Sequence, residues 1–308
     1  MAYYKSKLAS GGTVIGGVDE IPINSKNAYP IVYDNKLHLL TTVNDSTGNY
    51  TYLHYWDGKT WHLIHTMTRA TLSHSYAIPL IFNERLIFVR VDGLWEWNNT
   101  DWERICALPS KASDVYPVVF NGKLHLINEA INKSSSQYWV WDGTDWSTRT
   151  NINVNLSTTT MSASQPIALE NWISIIKPTS GNDWYEFQIK DNGYSRLNIG
   201  KPKNPYKMID IASVVEYNGL LYYINGKTSP TYIYSYDSTQ PLNQRWNFVS
   251  QNNDFTSGSG RYKAVTFQNK IHFINFADGK HYIFDGEEWT SGDKTLGLFM
   301  KQSTILLK

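Results

Sequence analysis

The chain has 308 residues, a formal net charge of +1 and only 18% charged residues. Its Lys and Arg residues are scattered, so the concentrated basic face that nucleic acid requires is missing. No run approaches the roughly 20 apolar residues of a membrane-spanning helix, and with Cys106 as the sole cysteine an intrachain disulfide is excluded.

From the N-terminus, Met1 to Gly12 contains no apolar core of the length a secretory signal peptide needs. Tyr3 to Leu8 and Thr13 to Ile21 read as strands around Gly11-Gly12. The first complete phrase is Tyr29 to Leu40, two apolar runs joined by Asp34-Asn35, a two-residue hairpin signal. A polar stretch follows, then an aromatic run into Trp56-Asp57-Gly58-Lys59-Thr60-Trp61. Ile78 to Val89 and Leu94 to Trp102 repeat the pair, with Asn98-Asn99 in place of Asp-Gly. Tyr116 to Ile127 and Val140 to Trp146 repeat it again. Weaker copies of the first phrase are Gln165 to Ile176, Ser213 to Ile224 and Lys263 to Ile274, and Ile283 to Trp289 closes the series.

The closing tryptophans are Trp61, Trp102, Trp146, Trp246 and Trp289. The first three are 41 and 44 residues apart, the last two 43, and the remaining interval of 100 fits two units. A period of roughly 40–50 residues with several short strands per unit is the signature of a β-propeller. The expected fold is all-β, a single domain over 1–308 built of four-stranded blades. The repeats run approximately 29–65, 77–105, 116–149, 165–197, 212–249 and 263–291. Leftover termini of 28 and 17 residues together make about one repeat. They predict a composite seventh blade, with six blades as the alternative. Only 11 residues separate Trp289 from Met300, against 21 from Trp61 to the matching Phe82, and this favours the alternative.

The layout resembles the Kelch family of β-propellers. Asn121-Gly122-Lys123-Leu124-His125-Leu126 and Trp141-Asp142-Gly143-Thr144-Asp145-Trp146 take the places of the Kelch Asn-Gly-Lys strand and its closing Trp. The chain departs at the Gly-Gly pair that Kelch units carry after strand b, where it has Leu39-Leu40, Ile127-Asn128 and Ile274-Asn275. The resemblance implies a fold and no particular activity. The Asp-Gly-x-x-Trp phrase is also similar to that of propellers in bacteriophage tails and tail-like particles. That similarity implies a virion or extracellular particle protein, made in the cytoplasm without a signal peptide.

Residues that could carry chemistry mostly read as structure. His38, His125 and His272 occupy one place in strand b, where the fifth unit has Tyr222, so they are packing elements and no metal triad. The remaining histidines lack ligand spacing. Asp57, Asp142 and Asp285 recur before glycine and read as turn residues, because Asp and Gly tolerate positive φ. Cys106, between Ile105 and Leu108, reads as a small buried thiol. The recurrent tryptophans read as structural residues, and truncation of Trp146 is expected to cost roughly 3–5 kcal/mol if it is buried. No acid pair suited to glycoside hydrolysis and no Gly-rich phosphate loop is present.

In a four-stranded blade the a–b and c–d turns lie on one face and the b–c and d–a loops on the other. Here the turns are uniform and the loops diverse, which places binding on the loop face. The candidate residues are Tyr29, Arg69, His74, Tyr76, Asp114, Tyr116, Tyr206, Arg261 and Tyr262, at or before the starts of the inner strands. Tyr offers a flat apolar face to a sugar ring and Arg a planar fork. The expectation is a non-enzymatic binding or structural module without cofactor or metal. Its partner is a host-surface glycan or another particle protein, bound weakly per copy and strengthened by oligomeric display. The alternatives are a polysaccharide lyase or glycosidase, and a cellular Kelch-type adaptor or lectin.

Overall fold

The computed structural model describes residues 27–45, 48–69, 77–90, 92–109, 115–128, 138–148, 166–178, 184–200, 211–225, 231–252, 262–275 and 280–291. They form six four-stranded antiparallel sheets, in each of which strands neighbour in space as they do in sequence. The first sheet is β1 (Asn27–Tyr33), β2 (Lys36–Asp45), β3 (Gly48–Trp56) and β4 (Trp61–Arg69). The second is β5 (Ala77–Phe82), β6 (Arg85–Arg90), β7 (Gly93–Trp97) and β8 (Trp102–Cys106). The third is β9 (Val115–Phe120), β10 (Lys123–Asn128), β11 (Tyr138–Trp141) and β12 (Trp146–Thr148). The fourth is β13 (Ile167–Ala168), β14 (Ile173–Pro178), β15 (Trp184–Lys190) and β16 (Gly193–Asn198). The fifth is β17 (Ile211–Tyr217), β18 (Leu220–Asn225), β19 (Thr231–Tyr236) and β20 (Trp246–Asn252), and the sixth β21 (Tyr262–Phe267), β22 (Lys270–Asn275), β23 (Lys280–Phe284) and β24 (Trp289–Ser291). A 3-10 turn at Leu242–Gln244 is the one helical element among the described residues.

The a–b turns have a common geometry. Asp34-Asn35, Asn83-Glu84, Asn121-Gly122, Asn218-Gly219 and Gln268-Asn269 all hold positive φ at both positions, between 48° and 76°. That is the two-residue turn whose twist matches its flanking strands. The c–d turns are held by a side chain. Asp142 Oδ1 accepts the N–H groups of Thr144 at 2.8 Å and Asp145 at 3.0 Å. Asp57, Asn98 and Asp285 make the same pair of bonds two and three residues on. Backbone amides hold the carboxyls of Asp142 and Asp285 below the usual carboxylate range. The recurrent acids are therefore consumed by their own turns. The fourth sheet departs at both turns. Leu169–Trp172 closes its a–b loop by a 2.9 Å backbone bond, and Lys190 pairs directly with Gly193 across c–d.

Each closing tryptophan packs on the aromatic residue across its own c–d turn: Trp61 on Trp56 at 5.4 Å, Trp102 on Trp97 at 5.2 Å, Trp146 on Trp141 at 6.2 Å, Trp246 on Tyr236 at 4.8 Å and Trp289 on Phe284 at 5.1 Å. Trp61, Trp102 and Trp246 are buried. Trp146 and Trp289 are only half-buried, so the burial on which the full truncation cost at Trp146 depends is partial. Trp146 instead spends its indole N–H on the carbonyl of Ala107 at 3.2 Å.

The chain divides into two compact parts, one of Met1–Pro79, Leu86–Ile105 and Arg261–Lys308, the other of Leu80–Arg85 and Cys106–Gly260. In the second part, one core runs between the third and fourth sheets through Val118, Phe120, Ile175 and Phe187. Another runs between the fourth and fifth through Trp184, Ile199, Tyr223 and Trp246. In the first part, Leu37, Leu39, Trp56 and Trp61 of the first sheet pack against Phe267 and Ile274 of the sixth. First and last sheets thus meet directly, and the space a composite seventh blade needed between them is already filled. The blades number six. The strands expected in 1–26 and 292–308 lie outside the described residues.

Burial separates the tryptophans energetically. Replacing Trp61 (2% exposed) with Ala is expected to cost roughly 3–5 kcal/mol. The same change at Trp146 should cost clearly less, read from denaturation midpoints, and equal losses would refute the distinction. At Gly122, φ is +66° and nothing lies within 4 Å of an added Cβ, so a substitution there meets backbone strain alone. Gly122→Val should lose roughly 1–2 kcal/mol or more, since a left-handed L-residue costs about that much. Gly122→Asn should lose less, because Asn35 and Asn269 already adopt this conformation in sister turns.

Candidate functional site

The inner strands set the positions of the expected binding residues. Tyr29 pairs with Leu40, Tyr116 with Ile127 and Lys263 with Ile274, one register in three sheets. Lys263, and not its neighbour Tyr262, therefore stands where Tyr29 and Tyr116 stand. The repeat alignment already set Lys263 at the place of Tyr29, and the candidates chosen there, Arg261 and Tyr262, precede it. Tyr29 is buried and Tyr116 half-buried. The Lys263 ammonium lies 5.4 Å from the Tyr29 ring. Desolvation pulls that amine down to about 8, although the side chain keeps some solvent contact. Arg69 ends β4 opposite Asn49 and Tyr262 opens β21 opposite Asn275. His74, Tyr76, Asp114, Tyr206 and Arg261 lie outside the described residues.

The repeated histidines are structural, as their alignment implies. Each packs on the aromatic residue that opens its own a–b turn: His38 on Tyr33 at 5.8 Å, His125 on Phe120 at 5.8 Å and His272 on Phe267 at 5.6 Å, with Tyr222 on Tyr217 at 5.4 Å in the fifth sheet. His125 also bonds to Tyr138 Oη and, at 3.1 Å, to the Phe120 carbonyl. Among the described residues no group of three or more His, Cys, Asp or Glu is placed to hold a metal ion. Cys106 is half-buried, more open than its apolar neighbours suggested.

The most concentrated polar and aromatic constellation stands at the b–c end of the second sheet, and sequence reasoning missed it. Arg90 ends β6 and pairs with Gly93 at the start of β7, a short b–c connection that carries Asp92. That connection brings Asp92 under Arg90 as a fork: Nε donates to Oδ1 at 2.6 Å and Nη2 to Oδ2 at 2.8 Å. Trp95, across the ladder from Phe88, donates its indole N–H to the same Asp92 Oδ1 at 3.2 Å. The guanidinium lies 5.0 Å from the Trp95 ring, and Phe88 stacks on Trp95 at 6.1 Å and 7°. From the first sheet, Met67 Sδ receives Nη1 at 3.3 Å. Carboxylate, guanidinium and indole are thus locked in one plane-and-fork arrangement of zero net charge. The available signal was the shortened b–c connection, which places Arg and Asp where other units carry polar loops.

A second stacked arginine occurs in the fourth sheet, where Arg196 lies 3.7 Å over Tyr185. Glu186, by contrast, is buried, and its carboxylate accepts from Ser174 Oγ at 2.7 Å and from Trp172 Nε1 and Gln188 Nε2 at 3.2 Å. It is a satisfied structural acid.

No family model matches this sequence, and no curated relative matches it. Solved structures do resemble its fold. A point mutant of the Aleuria aurantia lectin in complex with Fucα1-6GlcNAc aligns with a TM-score of 0.58 at 13% identity, over 88% of this chain and 96% of that one. The SapL1 lectin in complex with α-methyl fucoside aligns with 0.56 at 16% identity, over 90% and 98%. A putative 6-phosphogluconolactonase from Bacteroides uniformis aligns with 0.53 at 11% identity, over 89% and 86%. The likeness establishes a six-bladed β-propeller of four-stranded blades. A fold shared by lectins and a protein described as a lactonase does not by itself select an activity.

The fork makes a stability prediction. Arg90 is 7% exposed, so Asp92→Ala strands a buried cation and should cost roughly 3–5 kcal/mol. Asp92→Asn keeps an acceptor and should cost less. Equal unfolding midpoints for wild type and Asp92→Ala would show that the pair is solvated.

Proposed function

We propose that this chain is a non-enzymatic carbohydrate-binding β-propeller and that a sugar docks at the Arg90–Asp92–Trp95 junction. The observation that carries the reading is the fork-and-ring geometry itself. A sugar presents hydroxyls at its edge and C–H bonds on its face. Trp95, half-buried, offers the rest of its indole to that face, and the Arg90–Asp92 fork holds the ring in place. The site lies at a b–c turn, on the loop side where binding residues were expected. Two of the similar structures are lectins in complex with fucosides, which supports the carbohydrate class. The acids tell against hydrolysis. Asp57, Asp142 and Asp285 hold turns, Glu186 is enclosed, and a general acid needs a reacting bond within reach.

Because Arg90 and Asp92 cancel in charge, an uncharged saccharide suits the junction better than a uronate or sialate, whose carboxylate would face Asp92. Binding measured with an immobilised glycan panel should favour neutral sugars and weaken little as salt rises from 0.05 to roughly 0.5 M, unlike a charge-driven contact. Trp95→Ala should lower affinity at least about tenfold, the loss of roughly 1.4 kcal/mol of stacking, with the circular dichroism of the sheets unchanged. No retention of any glycan by a multivalent form, or full affinity in Trp95→Ala, would remove the reading.

The place in a phage tail or tail-like particle, and a partner on the host surface, rest on the sequence resemblance, as does the Kelch likeness. Weak binding per copy suits display on such a particle. Detection of the chain in purified particles by mass spectrometry tests the location, and its absence there leaves the lectin reading without that setting.

A further inference from the structure

We propose that the junction between the sixth and first sheets is an acid-sensitive seam, held shut by the neutral His272–His281 pair against Trp56 and Trp61. Here the first and last sheets of the chain meet. His272 on β22 and His281 on β23 face the first sheet beside Ile274 and Val265. His272 Nδ1 and His281 Nε2 share a 2.9 Å hydrogen bond. The His281 ring meets Trp56 edge-on at 4.9 Å and Trp61 at 5.7 Å. His281 is 1% exposed and His272 4%.

The geometry lets the pair hold at most one proton. A hydrogen bond between two imidazoles needs one ring nitrogen to accept, and a protonated imidazole only donates. A first proton leaves the bond in place but buries a cation with no room for water, and a second removes the acceptor and sets two N–H groups against each other. His54 adds to the same layer. It lies on β3 two residues before Trp56, is 1% exposed, and its Nδ1, like that of His281, has no hydrogen-bond partner.

The backbone carbonyls of Phe267 and Leu39 favour charged forms of His272 and His54, but desolvation outweighs both. Lys270, at the start of β22, acts on His272 and disfavours its protonation further, and His272 does the same to His281. Lys263 stands on β21 two residues before Val265, on the same face. From β3 come Tyr52 and His54, and the first sheet otherwise presents Ala28, Leu37, Leu39 and Trp61. Among the described residues no carboxylate acts on either ring. Burial holds His54 and His272 down to about 4 and His281 to about 3, against an ordinary 6.5.

The sign follows. Above pH 6.5 both folded and unfolded rings are neutral and the seam has its full stability. Below 6.5 the opened chain takes up protons that the closed seam refuses, so closure weakens as pH falls toward 4. Each histidine contributes up to about tenfold in the opening equilibrium per pH unit within that window. The fourth and fifth sheets contain no histidine and have no such dependence.

Hydrogen exchange, normalised for intrinsic rates, tests this at pH 7.5 and 4.5 on the full chain. Amides of β3, β22 and β23 should lose at least about a hundredfold in protection, while β14, β15, β18 and β19 lose less than about tenfold. Simultaneous loss across all six sheets would mean global acid unfolding and overturn the seam. In the His272→Gln/His281→Gln double variant the seam's extra pH dependence should shrink by at least half, and an unchanged dependence also overturns the proposal. Should that variant fail to fold, histidine-selective NMR titration of the wild type decides. Rings that stay neutral to about pH 4.5 until the seam opens support it, and rings that titrate near 6.5 in the closed protein refute it.

Discussion

A four-stranded meander has two faces and cannot bury either alone. Everything else in this structure depends on that constraint. Its cores lie between sheets: Phe120 and Ile127 of the third sheet against Ile175 and Phe187 of the fourth, Trp184 and Ile199 of the fourth against Tyr223 and Trp246 of the fifth. Broad aromatic side chains suit this role because they span the gap between adjacent sheets. The constraint also explains why the repeated histidines and the repeated tryptophans are structural. Each sheet must offer its neighbour a surface of similar shape, so a packing solution that works once is used again.

The repeat was legible because it is a local code. Asn121-Gly122 and Asp142-Gly143 specify turns through their own backbone preferences, and neighbouring strands pair in sequence order. Blade number was less legible, since it depends on how the ends meet. Leftover lengths at the two termini suggested a seventh blade, but the packing of Trp56 against His281 decided for six. The depth of each closing tryptophan was not legible either. The phrase ending in Trp146 matches the one ending in Trp61, yet exposure depends on what the adjacent sheet supplies, which the phrase does not encode.

The candidate site was least legible. The loop side was inferred from diversity, and several of the chosen residues lie in long loops outside the described strands. Arg90 and Asp92 were passed over because they stand at a short connection rather than in a long loop. Their significance arises only when the fold brings the carboxylate under the guanidinium and the ladder sets Trp95 beside both. The place of Lys263 was legible, since the repeat alignment sets it with Tyr29 and its pairing with Ile274 keeps that register.

The in-order pairing of strands has a kinetic side. No hairpin connection between paired strands exceeds nine residues, so each sheet can form from contacts close in sequence, the kind that forms quickly. The docking of the sixth sheet on the first joins residues separated by most of the chain, and the chain-closure entropy for that contact is the largest in the molecule. Formation of the sheets and closure of the fold are therefore separable events. Trp56 and Trp61 report the second directly, since their rings meet His281 only after closure. Their fluorescence should change in a late phase, after the sheet signal is complete.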